Sequence, residues 1–88
     1  MRTRVIYQGR VQGVGFRATA VAAAGRFLVT GWVRNEPDGA VLLEVQGEPA
    51  QVERFLDEVQ RTLERYIRSS AVTPLPAANG ERGFQVRY

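Results

Sequence analysis

The chain has 88 residues, a formal net charge of +3 and 44% hydrophobic residues, enough for one core and too little for a second domain around a cleft. It contains no His, no Cys and no Lys, its twelve basic residues all being Arg, which excludes an imidazole base, a thiolate nucleophile, a Schiff-base amine and an ordinary zinc site. The longest apolar run, Ala20 to Ala24, is far short of the roughly 20 residues a bilayer span needs, so no membrane segment is expected.

The arginines are scattered among nine acids and form no basic run, so charge supports nucleic-acid binding only weakly. Met-Arg-Thr-Arg does not lead into the apolar stretch of a signal peptide, because Gln8 and Arg10 interrupt it, and a cytoplasmic protein is expected.

Arg4 to Val11 alternates, with Val5, Tyr7 and Val11 on one parity, and predicts a first strand with one buried face. The period changes at Phe16. Phe16, Ala20, Ala23, Ala24 and Phe27 form one stripe of a slim, Ala-rich helix. Gly31 to Glu36 and Ala40 to Gln46 flank Pro37-Asp38-Gly39 and predict a hairpin, with Val41, Leu43 and Val45 on a shared face. Glu48 is the expected N-cap of a second helix and Pro49 its first residue, and Val52, Phe55, Leu56, Val59 and Leu63 follow the helical period. Beyond Arg65 the pattern weakens. Ile67 to Leu75 has room for a short strand, with Pro74 and Pro76 pointing to an edge or an early end, and Gly83 to Tyr88 alternates as a final strand. The order βαββαβ predicts an α+β domain over residues 1–88: a four-stranded antiparallel sheet with both helices on one face.

Between the first strand and the first helix lies GRVQGVGFR, Gly9 to Arg17. Gly13 and Gly15 let the backbone curl until successive N–H groups point into one concavity, an arrangement that suits phosphate oxygens. Arg17 falls in the first helical turn, where the helix dipole opposes a cation unless an anion compensates; pairing with a surface carboxylate is the alternative. GWVRN, Gly31 to Asn35, ends in an amide near the strand tip. Asn35 either orients a ligand or a water, or bonds to its own turn, and spacing alone does not choose. Trp32 reads as sheet packing and Arg34 as solvated. Asp38 is explained by the turn, Glu36 and Glu44 have no companions at metal-ligand spacing, and Ser69-Ser70 lacks an activating base.

GRVQGVGFR, then GWVRN fourteen residues after Arg17, then DG and a C-terminal FQVRY, strongly resemble the acylphosphatases over the whole chain. The resemblance implies a ferredoxin-like α/β sandwich that hydrolyses the carboxyl-phosphate bond of acyl phosphates to carboxylate and inorganic phosphate, with no metal, no cofactor and no covalent intermediate. It implies that Arg17 holds the phosphate together with the backbone amides of Gln12, Gly13, Val14, Gly15 and Phe16, and that Asn35 positions the attacking water. The expected partner is a small acyl phosphate, with inorganic phosphate and other anions as competitors, no nucleic acid and no membrane, acting on a monomer. An RNA-recognition module shares βαββαβ but needs an aromatic run on its central strands that this chain lacks. A carbamoyl-phosphate-handling part of a larger assembly is a further alternative. The chain departs from the family at Phe27-Leu28, where relatives commonly have Leu-Gly, so strain or a different shape is expected at that helix end. The small Ala18, Thr19 and Ala20 are expected to widen the pocket mouth.

Overall fold

The computed structural model describes residues 1–88. Along the chain run β1 (Arg2–Gly9), α1 (Phe16–Ala24), β2 (Val29–Asn35), β3 (Val41–Gly47), α2 (Pro49–Thr62), a 3₁₀ turn (Glu64–Tyr66), β4 (Ile67–Leu75) and β5 (Phe84–Arg87). The sheet has five strands in the order β4-β1-β3-β2-β5. This corrects the expected four-stranded antiparallel sheet, because both C-terminal segments pair and β5 runs parallel to β2. The reason lies in the connection. β4 ends with Leu75 opposite Arg2, at the sheet end where Gln46 faces Thr30. The following segment crosses that end and is held to Gln46, whose side chain accepts from Ala78 N–H (2.8 Å) and donates to Ala78 C=O (3.0 Å). β5 therefore starts beside the start of β2, with Gly31 N–H donating to Gly83 C=O (3.0 Å), and has to run the same way. Pro74 sits in β4, an edge strand, the place in a sheet where a residue without an N–H is tolerated.

One face of the sheet carries both helices. Val5 and Tyr7 of β1, Val33 of β2, and Val41, Leu43 and Val45 of β3 pack against Phe16, Ala20, Ala23 and Ala24 of α1 and Val52, Phe55 and Val59 of α2. Phe55 is fully buried, with the rings of Phe84 and Phe27 at 5.2 and 6.5 Å. Glu48 occupies the N-cap of α2 but makes no side-chain cap bond, so Pro49 with its preset φ is the working start signal. No strain appears at the end of α1. The helix closes at Gly25 with φ −64°, and Arg26 and Phe27 continue a tight turn onto the carbonyls of Ala23 and Ala24. Leu28 N–H is taken by Gln51 Oε1 (2.9 Å), and no residue other than glycine has positive φ.

The opposite face carries no helix and is closed by charge. The parity that buries Val5 and Tyr7 turns Arg2, Arg4 and Ile6 to this side. Arg2 is only 6% exposed and bonds Glu44 through Nε and Nη2, and Glu81 through Nη1 (2.9 Å) and Nη2 (3.1 Å). Arg4 takes the other Glu44 oxygen at 2.8 Å. Burial pushes the Glu44 carboxyl up, but the hydrogen bonds from Arg4 and Arg2 outweigh it and hold it below its ordinary value. Glu81 is held low by its bond from Arg2, against its own burial. Trp32 packs on the sheet as expected, with the guanidiniums of Arg87 and Arg34 at 4.7 and 5.3 Å from its ring. Arg34 is paired with Glu36 (3.2 Å) while its side chain stays 40% exposed, so it is solvated as expected but not free.

Phe55→Ala empties the meeting point of α2, β5 and the segment after α1, and is expected to cost about 3–5 kcal/mol in urea unfolding. Glu44 and Glu81 titrate lower in the folded chain than unfolded, so their stabilisation is present above the unfolded carboxyl value of about 4.3 and is lost as pH falls through their lower folded values. Urea midpoints between pH 7 and pH 2 should therefore decline more steeply for the parent than for Glu44→Gln; parallel declines would refute the pairing.

Candidate functional site

β1 leaves the sheet through a bulge at Gln8/Gly9, and Val11, fully buried, anchors the chain again before it turns out to solvent. The next residues are shaped by two glycines. Gly13 and Gly15 have φ of 77° and 78°, the left-handed region. A Cβ at either would meet nothing within 4 Å, so the demand for glycine here is conformational and not one of space. Phe16 then enters the core against Tyr7, ring centroids 4.8 Å apart, and fixes where α1 begins.

The consequence is a run of unused donors. No backbone N–H from Gln12 through Ala18 is donated to a protein acceptor; the first one taken in α1 is Thr19 N–H, by Gly15 C=O at 2.9 Å. The first turn holds no acidic residue and α1 has no side-chain cap. This is the free positive end of a helix joined to a glycine nest.

Arg17 is half-buried in that first turn. The other buried or half-buried arginines, Arg2, Arg4 and Arg34, each have a carboxylate partner, and Arg17 has none. Its guanidinium lies 5.3 Å from the centroid of the Tyr88 ring. The alternative of an Arg neutralised by a surface acid is therefore not what the structure shows.

Asn35 is the last residue of β2, opposite Val41. The hairpin does not use its amide. Asp38 Oδ1 accepts from Ala40 N–H (3.0 Å) and Glu36 N–H donates to Ala40 C=O (2.8 Å), which completes the turn, and the Asn35 side chain has no hydrogen-bond partner in the protein. Gly31, at the other end of GWVRN, answers a different need. A Cβ there would lie 2.0 Å from Glu44 C=O, so this glycine serves strand packing.

Arg17, Asn35, Gly13, Gly15 and Phe16 border one cavity of about 260 Å³. Gln12 and Val14 do not line it. Val14 packs partly against the core, and the Gln12 side chain donates to Glu36 C=O (2.8 Å) and Ala40 C=O (2.9 Å), strapping the loop to the hairpin that carries Asn35. The strap was not foreseen from sequence, nor was the far wall of the cavity, Val86 and Tyr88 of the C-terminal segment. The alternation of Phe84, Val86 and Tyr88 was the available signal. Ala18 borders the mouth as expected, whereas Ala20 is fully buried in the core. Glu36 and Asp38 are absent from the lining, and Ser70 Oγ is spent on Gln60 (3.0 Å). No three His, Cys, Asp or Glu side chains gather as metal ligands. A larger, shallower hollow along α2 has no part in this loop and is lined mostly by charged side chains, among them Glu58, which pairs with Arg61 and Arg26.

The acylphosphatase family model matches residues 3–86. Acylphosphatase from Oceanobacillus iheyensis is 48% identical over 87 residues, covering 97% of this chain and 96% of that protein. Acylphosphatase from Geobacillus kaustophilus is 38% identical over 99% of this chain and 94% of its own length. The crystal structure of acylphosphatase from Bacillus subtilis superposes with a TM-score of 0.88 at 29% identity, covering 99% of this chain and 98% of that one. Family model, relatives and fold agree, and the chain belongs to the acylphosphatase family.

Proposed function

We propose that residues 1–88 act as one acylphosphatase domain that hydrolyses acyl phosphates by direct attack of water on phosphorus. The observation that carries this reading is the convergence on one cavity of a half-buried arginine without a carboxylate, a loop of undonated amides, and an asparagine amide without a partner. In it, the loop amides and the planar fork of Arg17 take the phosphate oxygens, and they strengthen as charge builds on those oxygens in the transition state. The Asn35 amide orients the water. The water oxygen forms the new P–O bond, the bond from phosphorus to the acyl oxygen breaks, and the electron pair leaves on the carboxylate.

A carboxylate with a pKa of roughly 4 to 5 leaves without a proton, so no general acid is needed. Asn35 is no base, and in this reading the water's proton passes to a phosphate oxygen of the substrate. One chain supplies every group named, so the reaction needs no partner subunit. Inorganic phosphate presents the same oxygens as the substrate and competes for the same cradle.

The test is hydrolysis of benzoyl phosphate with EDTA present, comparing the parent with Arg17→Ala and Asn35→Ala at matched folding. Arg17→Ala is expected to lower kcat/KM by about 10²–10³, the loss seen when one transition-state donor is removed, and to weaken competitive inhibition by phosphate as well. Asn35→Ala is expected to lower kcat with KM little changed, because the water is oriented in the transition state while phosphate contacts stay. A raised KM with unchanged kcat would refute the water-positioning role, and phosphate binding without turnover in the parent would leave a binding module. Glu36→Gln and Asp38→Asn are expected to retain turnover; loss in either would mean that a side-chain carboxylate is the base.

A further inference from the structure

Outside the loop cavity, which holds the single cation Arg17, one place gathers several cations without acids. Where β1 and β4 meet at the bulge, Arg10, Arg65 and Arg68 line a hollow of about 370 Å³ together with Gly9, Tyr66 and Ile67. No acidic side chain lines it. All three arginines are exposed and none takes part in an ion pair. Glu64, the acid nearest in sequence, borders the separate hollow along α2.

The base from which these side chains leave is rigid. Arg10 N–H donates to Tyr66 C=O at 2.9 Å, and Gly9 is paired with Ile67. The backbones approach so closely that a Cβ on Gly9 would stand 2.4 Å from Tyr66 C=O and 2.7 Å from Arg68 N. Arg65 rides on the 3₁₀ turn directly before them. Three like charges held around one hollow repel one another unless an anion enters, and planar guanidinium forks match phosphate oxygens. Several cations sharing one hollow suit an anion with more than one phosphate.

We propose that Arg10, Arg65 and Arg68 form a second anion site, distinct from the loop cavity, that takes a chain of linked phosphates. The two cavities have no lining residue in common. The phosphate chain comes either as a free linear polyphosphate or as the phosphates of a nucleotide.

Calorimetric titration at low salt, with EDTA present, tests this with two probes, sodium tripolyphosphate and ATP. The proteins are the parent, Arg17→Ala and the double variant Arg65→Ala/Arg68→Ala. In Arg17→Ala, whose loop cavity is weakened for phosphate, tripolyphosphate is expected to bind the second site as tightly as it binds that site in the parent. The double variant is expected to bind at least about tenfold more weakly, since each hydrogen bond to a charged group carries about that factor, while its benzoyl phosphate turnover and thermal midpoint stay at the parent's values. ATP binding several-fold tighter than tripolyphosphate would identify a nucleotide as the source, and equal binding the free chain. Binding that disappears in Arg17→Ala and is unmoved in the double variant would overturn the proposal, as would no binding of either probe to the parent.

Discussion

Backbone N–H groups from Gln12 through Ala18 reach no protein acceptor, and much of the surrounding structure serves to keep them in that condition. Left to itself such a loop would collapse onto nearby carbonyls or fray into water. Here it is pinned at both ends by buried side chains, Val11 before it and Phe16 after it. Gly13 and Gly15 supply the left-handed turns between those pins, and Gln12 ties the loop sideways to the hairpin through two carbonyls. The donors thus stay available in fixed directions, which is the condition under which amides stabilise developing charge without reorganising.

The same economy explains why the far face of the sheet is polar. Both faces of the central strands must be covered, and the two helices cover only one. On the other, Arg2, Arg4, Glu44 and Glu81 satisfy each other, and Trp32 is shielded by two guanidiniums. A buried charge network of this kind contributes little net stability compared with an apolar core of the same shape, but removing one member strands the others. Its members come from β1, β3 and the segment before β5, so it also holds the C-terminal crossover in place. That crossover delivers Val86 and Tyr88 to the loop cavity, which links the charged face to the cavity at the opposite end of the strands.

Much of this was legible in the residues. The stripe through Val52, Phe55, Val59 and Leu63, the alternation of Val41, Leu43 and Val45, and the Pro37-Asp38-Gly39 turn all appear as read, because each pattern is written within a few residues of itself. GRVQGVGFR and GWVRN were likewise readable as donors and an amide at element ends. The misreadings share another cause. The pairing of both Ile67–Leu75 and Phe84–Arg87 depends on which sheet edges stay open once β1, β3 and β2 have paired, and no local period encodes that. The Trp32 and Glu36 contacts of Arg34 depend on side-chain packing, and the arginine partners of Glu44 lie on another strand, so no local pattern shows either.

By itself the sequence determined the kinds of groups available and the local shapes they favour: a strand, a glycine turn and a helix start in direct succession, an amide at a strand tip, and no imidazole, thiol or amine. These follow from φ/ψ preferences and side-chain chemistry, which act over a few bonds. Tertiary structure decided that Arg17 and Asn35 face one cavity, that Arg17 is left without a carboxylate while Arg2, Arg4 and Arg34 find theirs, and that β5 runs parallel to β2 to supply the far wall. Those outcomes depend on which edges and charges meet after the chain has folded back on itself, and only the packing of the whole sheet specifies them.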